Sequence, residues 1–119
     1  MGQLSQQPVG HVGSRKIYED DSIILWEFEL APGEKSPCHT HEHDYLFYVL
    51  AGTRLEVYDA DDRHLGGFDS PTGACFALRR DGEDLVSSDD KGLRVLATHS
   101  ALNAGTGTYR EMLIEKKAR

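Results

Sequence analysis

No stretch of this 119-residue sequence is apolar for long enough to cross a membrane as a helix, which needs about 20 consecutive residues. Basic residues are scarce: 13 Lys and Arg stand against 20 Asp and Glu, a net charge of −7. That deficit argues against nucleic acid or an anionic membrane as partner, because both attract Lys/Arg patches. Cysteine is nearly missing. The opening residues, MGQLSQQPVGHVGS, lack a basic segment followed by an apolar one, so no secretory signal is evident. Cys38 and Cys75 therefore read as free thiols of a cytoplasmic protein rather than a disulfide. A sustained 3.6-residue apolar stripe with caps is also lacking, which argues against helices. There is no tandem repeat, low-complexity tract or second compositional regime, and the length suits one core.

What the chain does have is a series of short apolar segments bounded by Gly, Pro, Asp and Ser. Residues 1–14 are polar and without period, and read as a flexible arm before a single domain over 15–119. Trp26, Phe28 and Leu30 alternate with Glu27 and Glu29, the period of a half-buried strand, with Asp20-Asp21 as the turn before it. Further strands are expected over Pro37–His43, Tyr45–Leu50, Arg54–Tyr58, His64–Phe68, Ala74–Leu78, Leu85–Ser87 and Leu93–His99. Asp81-Gly82 marks a hairpin turn. Ala101–Thr108 reads as a loop, and Tyr109–Lys116 as a strand or a short helix. About nine such segments at roughly 8–12-residue spacing describe an all-β barrel or jelly roll. Trp26, Phe28, Phe47 and Tyr48 are core or interface residues, and Cys75, in an apolar run, reads as core.

The chemistry concentrates in Gly33–Gly52, GEKSPCHTHEHDYLFYVLAG. His39 and His41 lie two apart, so on a strand both imidazoles project to one side. Neutral imidazole is the commonest protein metal ligand, and the pair is half of a metal site. Cys38, one position away, faces the other side and reads as packing. His43 falls in the turn that follows, and His11 and His64 in polar, surface-like contexts. His99 ends a strand and reads as a non-site residue. No phosphate-binding Gly-rich loop and no Ser-His-Asp arrangement can be picked out.

The spacing of this stretch resembles the first motif of the cupin superfamily, G(X)5HXH(X)3–4E(X)6G. Gly33, His39, His41 and Gly52 fall at the fixed positions, and Tyr45 stands where the motif has Glu. The second motif, G(X)5PXG(X)2H(X)3N, is degenerate when anchored on Gly73: Asp84 stands at its His and Ser88 at its Asn. The resemblance implies a cupin-type β-barrel whose cavity is lined by the first motif. It implies a divalent metal held by His39 and His41, with Tyr45 or a carboxylate, Asp84 or its neighbour Glu83, as third donor. Tyr45 also takes a catalytic place beside the ion. Two His and one carboxylate form the facial triad of non-haem Fe(II) oxygenases, so Fe(II) leads, with Ni, Mn or Zn as alternatives. The expected activity is a metal-dependent, dioxygenase-like oxidoreductase acting on a small organic molecule. The alternatives are a non-catalytic cupin that binds a small ligand, and an isomerase or epimerase working by acid–base chemistry without metal. Exposed edge strands, and a leader free to cross over, imply a homodimer.

Overall fold

The computed structural model describes residues 13–88 and 92–117, and every structural statement below concerns these. They form eleven strands: β1 (Arg15–Glu19), β2 (Ile23–Leu30), β3 (His39–Thr40), β4 (Asp44–Ala51), β5 (Thr53–Tyr58), β6 (His64–Ser70), β7 (Cys75–Asp81), β8 (Asp84–Ser87), β9 (Arg94–Leu96), β10 (Thr98–Asn103) and β11 (Tyr109–Lys116). All pairings are antiparallel. Seven strands make one sheet in the order β1-β2-β11-β4-β7-β8-β9, and four make a second in the order β3-β10-β5-β6. The two sheets enclose the core as an all-β jelly roll. No ladder among the described residues joins them, so the expected closed barrel is instead an open pair of sheets. No helix here is long and apolar enough to span a membrane.

Alternation decides what faces the core. On β2 the buried positions are Trp26, Phe28 and Leu30; on β4 they are Tyr45, Phe47 and Val49. The last strand, β11, lies between these two, with Leu113 opposite Trp26 on one side and Phe47 on the other. Phe47 pairs with Phe76 of β7, their rings 5.0 Å apart. Leu55 and Val57 of β5 bury toward the interior from the smaller sheet. Each fully buried aliphatic or Phe side chain contributes about 1.5–3 kcal/mol relative to exposure.

The expected helix or strand at the end of the chain is a strand. Its inward positions, Tyr109, Glu111, Leu113 and Glu115, follow a period of two. The Trp26 indole N–H donates to the Glu115 carboxylate at 2.8 Å, so one of the two buried glutamates is held by a cross-strand bond. Three boundaries differ from expectation. Pro37–His43 is a strand only at His39–Thr40. Leu93–His99 breaks at Ala97, so that β9 ends in one sheet and β10 begins in the other. The loop expected from Ala101 starts only after Asn103. Cys75, expected in the core, is exposed: Phe76 and Leu78 take the inward positions of β7, and alternation turns Cys75 outward.

Turn chemistry matches the sequence signals. Asp20 accepts hydrogen bonds from the N–H groups of Ser22 and Ile23, closing the β1–β2 turn. Asp81 pairs with Asp84, leaving Gly82 (φ 66°) and Glu83 at the centre of a two-residue hairpin. Of the expected arm, residues 1–12 and with them His11 lie outside the described residues. Ser14 is tied to β2 through its N–H to the Glu27 carbonyl, 2.7 Å, and its hydroxyl to the Glu29 carbonyl, 3.2 Å.

Candidate metal centre

His39 sits on the short strand β3 and pairs across the ladder with His99 of β10. His41 lies just past the end of β3, where its N–H donates to the Ala97 carbonyl at 2.9 Å. The same Ala97 donates its own N–H to the Glu83 carbonyl. Ala97 is therefore the point at which the chain leaves one sheet for the other, and it fixes His41 and His99 together. Arg80 braces the segment from outside, donating to the His41 carbonyl (2.8 Å) and, through its backbone N–H, to the Asp44 carboxylate (3.0 Å).

The result is three buried imidazoles whose ligating nitrogens all lie within 4.8 Å of one another. The Nε2 atoms of His39 and His41 stand 3.1 Å apart. Two metal–nitrogen bonds of about 2.1 Å at a right angle would place their nitrogens about 3 Å apart. The protonation state favours ligation. Burial, and then the neighbouring His99, bring His39 down to about 4 from an ordinary 6.5, against a smaller upward pull from the Pro37 carbonyl. Burial pushes His41 well below 6.5 and lowers His99. All three rings are neutral near pH 7.

Two of them are also oriented from behind. The Nδ1 of His39 lies 2.9 Å from the Pro37 carbonyl oxygen, and that of His99 lies 2.6 Å from Leu96 O. A carbonyl can only accept, so each ring carries its proton on Nδ1 and turns an Nε2 lone pair to the cluster, as metal-binding histidines do. Nδ1 of His41 is buried without a hydrogen-bond partner. On these grounds the donor set fits a divalent ion.

The cluster opens on a cavity of about 410 Å³. Phe28, Phe47, Leu78 and Leu113 form apolar wall, and Tyr45 and Glu111 also line it. Tyr45 stacks on His41 with ring centres 4.3 Å apart and planes at 12°. Burial, and then the charges of Glu111 and Glu115, push its phenol well above 10, so it keeps its proton. Burial pushes Glu111 up to about 8, although the hydrogen bond it accepts from the Tyr109 hydroxyl, 2.5 Å, pulls the other way.

Of the expected site residues, His39 and His41 come together as the spacing required. Tyr45 lies beside them as a stacked, protonated phenol. Asp84 reaches the cavity rim but stands outside the histidine cluster, its carboxylate paired with Arg94 at 2.5 Å. Where Tyr45 or a carboxylate was expected as third donor, a third imidazole, His99, stands with His39 and His41. Glu83 contributes its backbone carbonyl, not its side chain. His43 is half-buried, Cys38 is half-buried, and neither joins the cluster. His64 is a surface residue bonded to Glu56 at 2.6 Å.

The residue sequence reasoning missed is His99. Its signal was present: Asn103 follows it by four positions, the H(X)3N ending of the second motif, and anchoring on Gly73 passed it over. Asn103 is fully buried. Its amide donates to Leu30 O (3.0 Å) and Gly107 O (2.8 Å) and accepts from the Gly105 N–H (2.9 Å), fixing the end of β10. Glu111 was missed as well, because a charged residue on a strand is ordinarily read as solvent-facing.

Two facing antiparallel sheets with imidazoles converging on the cavity between them define a jelly roll of the cupin type. Solved structures carry the same fold. A cupin domain protein from Bordetella pertussis matches with a TM-score of 0.60 at 16% identity, over 92% of this chain and 100% of that one. The polyketide cyclase RemF from Streptomyces resistomycificus matches at 0.55 and 22%, over 88% of this chain and 64% of that one. A sugar phosphate isomerase of the cupin superfamily from Silicibacter pomeroyi matches at 0.52 and 18%, over 82% and 52%. This chain spans about half to two thirds of those two enzymes. No family model matches the sequence, and no curated protein is significantly similar to it.

Proposed function

We propose that this protein is a metal-dependent enzyme, a dioxygenase-like oxidoreductase that acts on a small organic molecule. His39, His41 and His99 hold the ion, Fe(II) first, with Ni, Mn or Zn as alternatives. Once bound, the ion supplies Lewis acidity toward substrate oxygens and, as Fe(II), the means to activate O₂. Three neutral ligands leave its positive charge uncompensated, which favours a substrate that brings an anionic or readily ionised oxygen. The apolar wall of Phe28, Phe47, Leu78 and Leu113 takes the body of that molecule and excludes water. Tyr45 donates a hydrogen bond to it, and Glu111, mostly protonated at pH 7, stands ready to donate a proton.

One observation carries the reading: three buried, neutral imidazoles, two of them with Nδ1 on a backbone carbonyl, turned toward a common point. The test is elemental analysis of protein purified without chelator. We expect close to one transition-metal ion per chain, lost in His39→Ala, His41→Ala and, decisively, His99→Ala. Oxygen uptake by the Fe(II)-loaded protein should then be screened against small enolisable and hydroxylated acids. A parent protein that never retains metal would overturn the assignment.

A second reading has its own support in Glu111. A buried acid with its pKa near neutrality is suited to proton transfer, as an isomerase or cyclase needs. The two enzymes named above among structures of this fold catalyse such chemistry under their given names. Turnover that survives chelation and is lost in Glu111→Gln would favour it.

A further inference from the structure

Tyr109 and Ser70 put hydroxyls where apolar side chains would pack as well. Both residues are fully buried. Tyr109 opens β11 with its ring edge-on to Phe28, the centres 6.1 Å apart. Ser70 closes β6 in the other sheet. Their hydroxyls stand 3.1 Å apart, a contact made between the two sheets by residues 39 positions apart in the chain. Two positions along β11 from Tyr109, on the same inward face, lies Glu111.

The proton count fixes the direction of this chain. A hydroxyl carries one proton. Tyr109 donates its own to Glu111 Oε1 at 2.5 Å, the short end of the range for bonds to a carboxylate. Ser70 is then the donor to Tyr109. Both O–H bonds point toward Glu111, and each polarises the next, which stabilises negative charge on that carboxyl. Tyr109 keeps its proton, because burial, and then the charge of Glu111, push its phenol well above 10. It is a donor to Glu111 and not an acid in its own right.

The other carboxyl oxygen is free. Glu111 Oε2 makes no hydrogen bond among the described residues. Yet the only side-chain atom there that is both sealed off and unpartnered is Nδ1 of His41. Oε2 is therefore open to the cavity that Glu111 lines. With Oε1 occupied by the Tyr109 O–H, the proton of the neutral acid sits on Oε2. The titratable groups around it are Tyr45 on β4, Tyr109 and Glu115 on its own strand, and the three histidines on the same cavity. The inward residues of β2, Trp26, Phe28 and Leu30, carry no charge.

We propose that Tyr109, steadied by Ser70, is the positioning residue for Glu111: it holds Oε1, leaves the transferable proton on Oε2 toward the cavity, and stabilises the carboxylate that remains once that proton has gone. This rests on Glu111 as the proton donor described above. The proton passes from Oε2 to a substrate atom, the O–H bonding pair stays on the carboxylate, and water returns a proton afterwards. A preorganised donor to the charge that develops is what acid catalysis in an apolar site requires.

Infrared titration of the carboxyl in the chelator-treated full chain tests it, with Glu111→Gln to assign the band. In the parent, the protonated-carboxyl band should disappear with a midpoint near 8. Tyr109→Phe, which keeps the ring against Phe28, should move that midpoint up by about one to two pH units, the loss expected for a hydrogen bond to a charged group. Ser70→Ala, which leaves the ring untouched, should move it the same way by less, and decides the matter if Tyr109→Phe does not fold. A midpoint that stays in place while stability drops would overturn the proposal, by showing a hydroxyl with a structural role alone. Turnover indifferent to Glu111→Gln would instead remove the acid role itself, and the two failures are told apart because the infrared midpoint is read without metal or substrate.

Discussion

Glu111 and the three histidines pull the stability of the metal-free protein in opposite directions. Burial raises the Glu111 carboxyl from 4.5 to about 8. Between those values the native protein holds a proton that the unfolded chain has released, so stability falls as pH rises. The imidazoles behave in reverse. The unfolded chain takes up protons on them below 6.5, whereas His39 in the native state waits until about 4, and His41 and His99 are shifted the same way. Their contribution is present above 6.5 and is lost as pH drops through that window. Urea denaturation across the range should therefore show a maximum near pH 6.5. Glu111→Gln should flatten the alkaline side and steepen the acid side above pH 4.5, where its slope no longer opposes that of the histidines. An unaltered alkaline decline would mean that Glu111 is ionised in the folded protein. The burial of Glu111 was not legible in the sequence, whereas the His39–His41 pairing was, because two residues an alternate step apart need no other part of the chain to be neighbours.

Where strands change sheets, the backbone leaves no room. Gly52 joins β4 in the large sheet to β5 in the small one. A Cβ there would meet the Ser70 carbonyl oxygen at 2.3 Å and the Thr72 nitrogen at 2.4 Å, both backbone atoms that cannot swing aside. Gly52→Ala should thus destabilise the fold by about 1–3 kcal/mol, the usual range for forced overpacking, as a lowered denaturation midpoint. If the midpoint does not move, the crossing is more pliant than its contacts indicate. Ala97 makes another of the crossings, from β9 to β10. The sequence LRVLATH reads as one unbroken strand, and nothing local marks the break, because it is imposed by hydrogen bonds to Glu83 and His41 from elsewhere in the chain. That is why the strand was legible and its division was not.

Binding of a metal should tighten the molecule, since the three histidines come from β3, the segment after it and β10, and stand together only once β10 has paired with β3 across a long stretch of chain. A ligand that binds only the folded state adds about 2.7 kcal/mol at a hundredfold excess over its Kd. Chelation should accordingly lower the melting temperature by several degrees, and the drop should vanish in His99→Ala; an equal drop in that variant would place the ion elsewhere. By itself the sequence determined the class of fold, through alternation and turn residues, and the local half of the site, through the spacing of Gly33, His39, His41 and Gly52. Tertiary structure alone decided the rest. It brought His99 from 58 positions beyond His41 into the histidine cluster, left Asp84 with Arg94, and drew Glu111 inside. The physical reason is that periodicity records which way a side chain points along its own strand, whereas the partner it meets there is set by strand order and register between segments far apart in the chain.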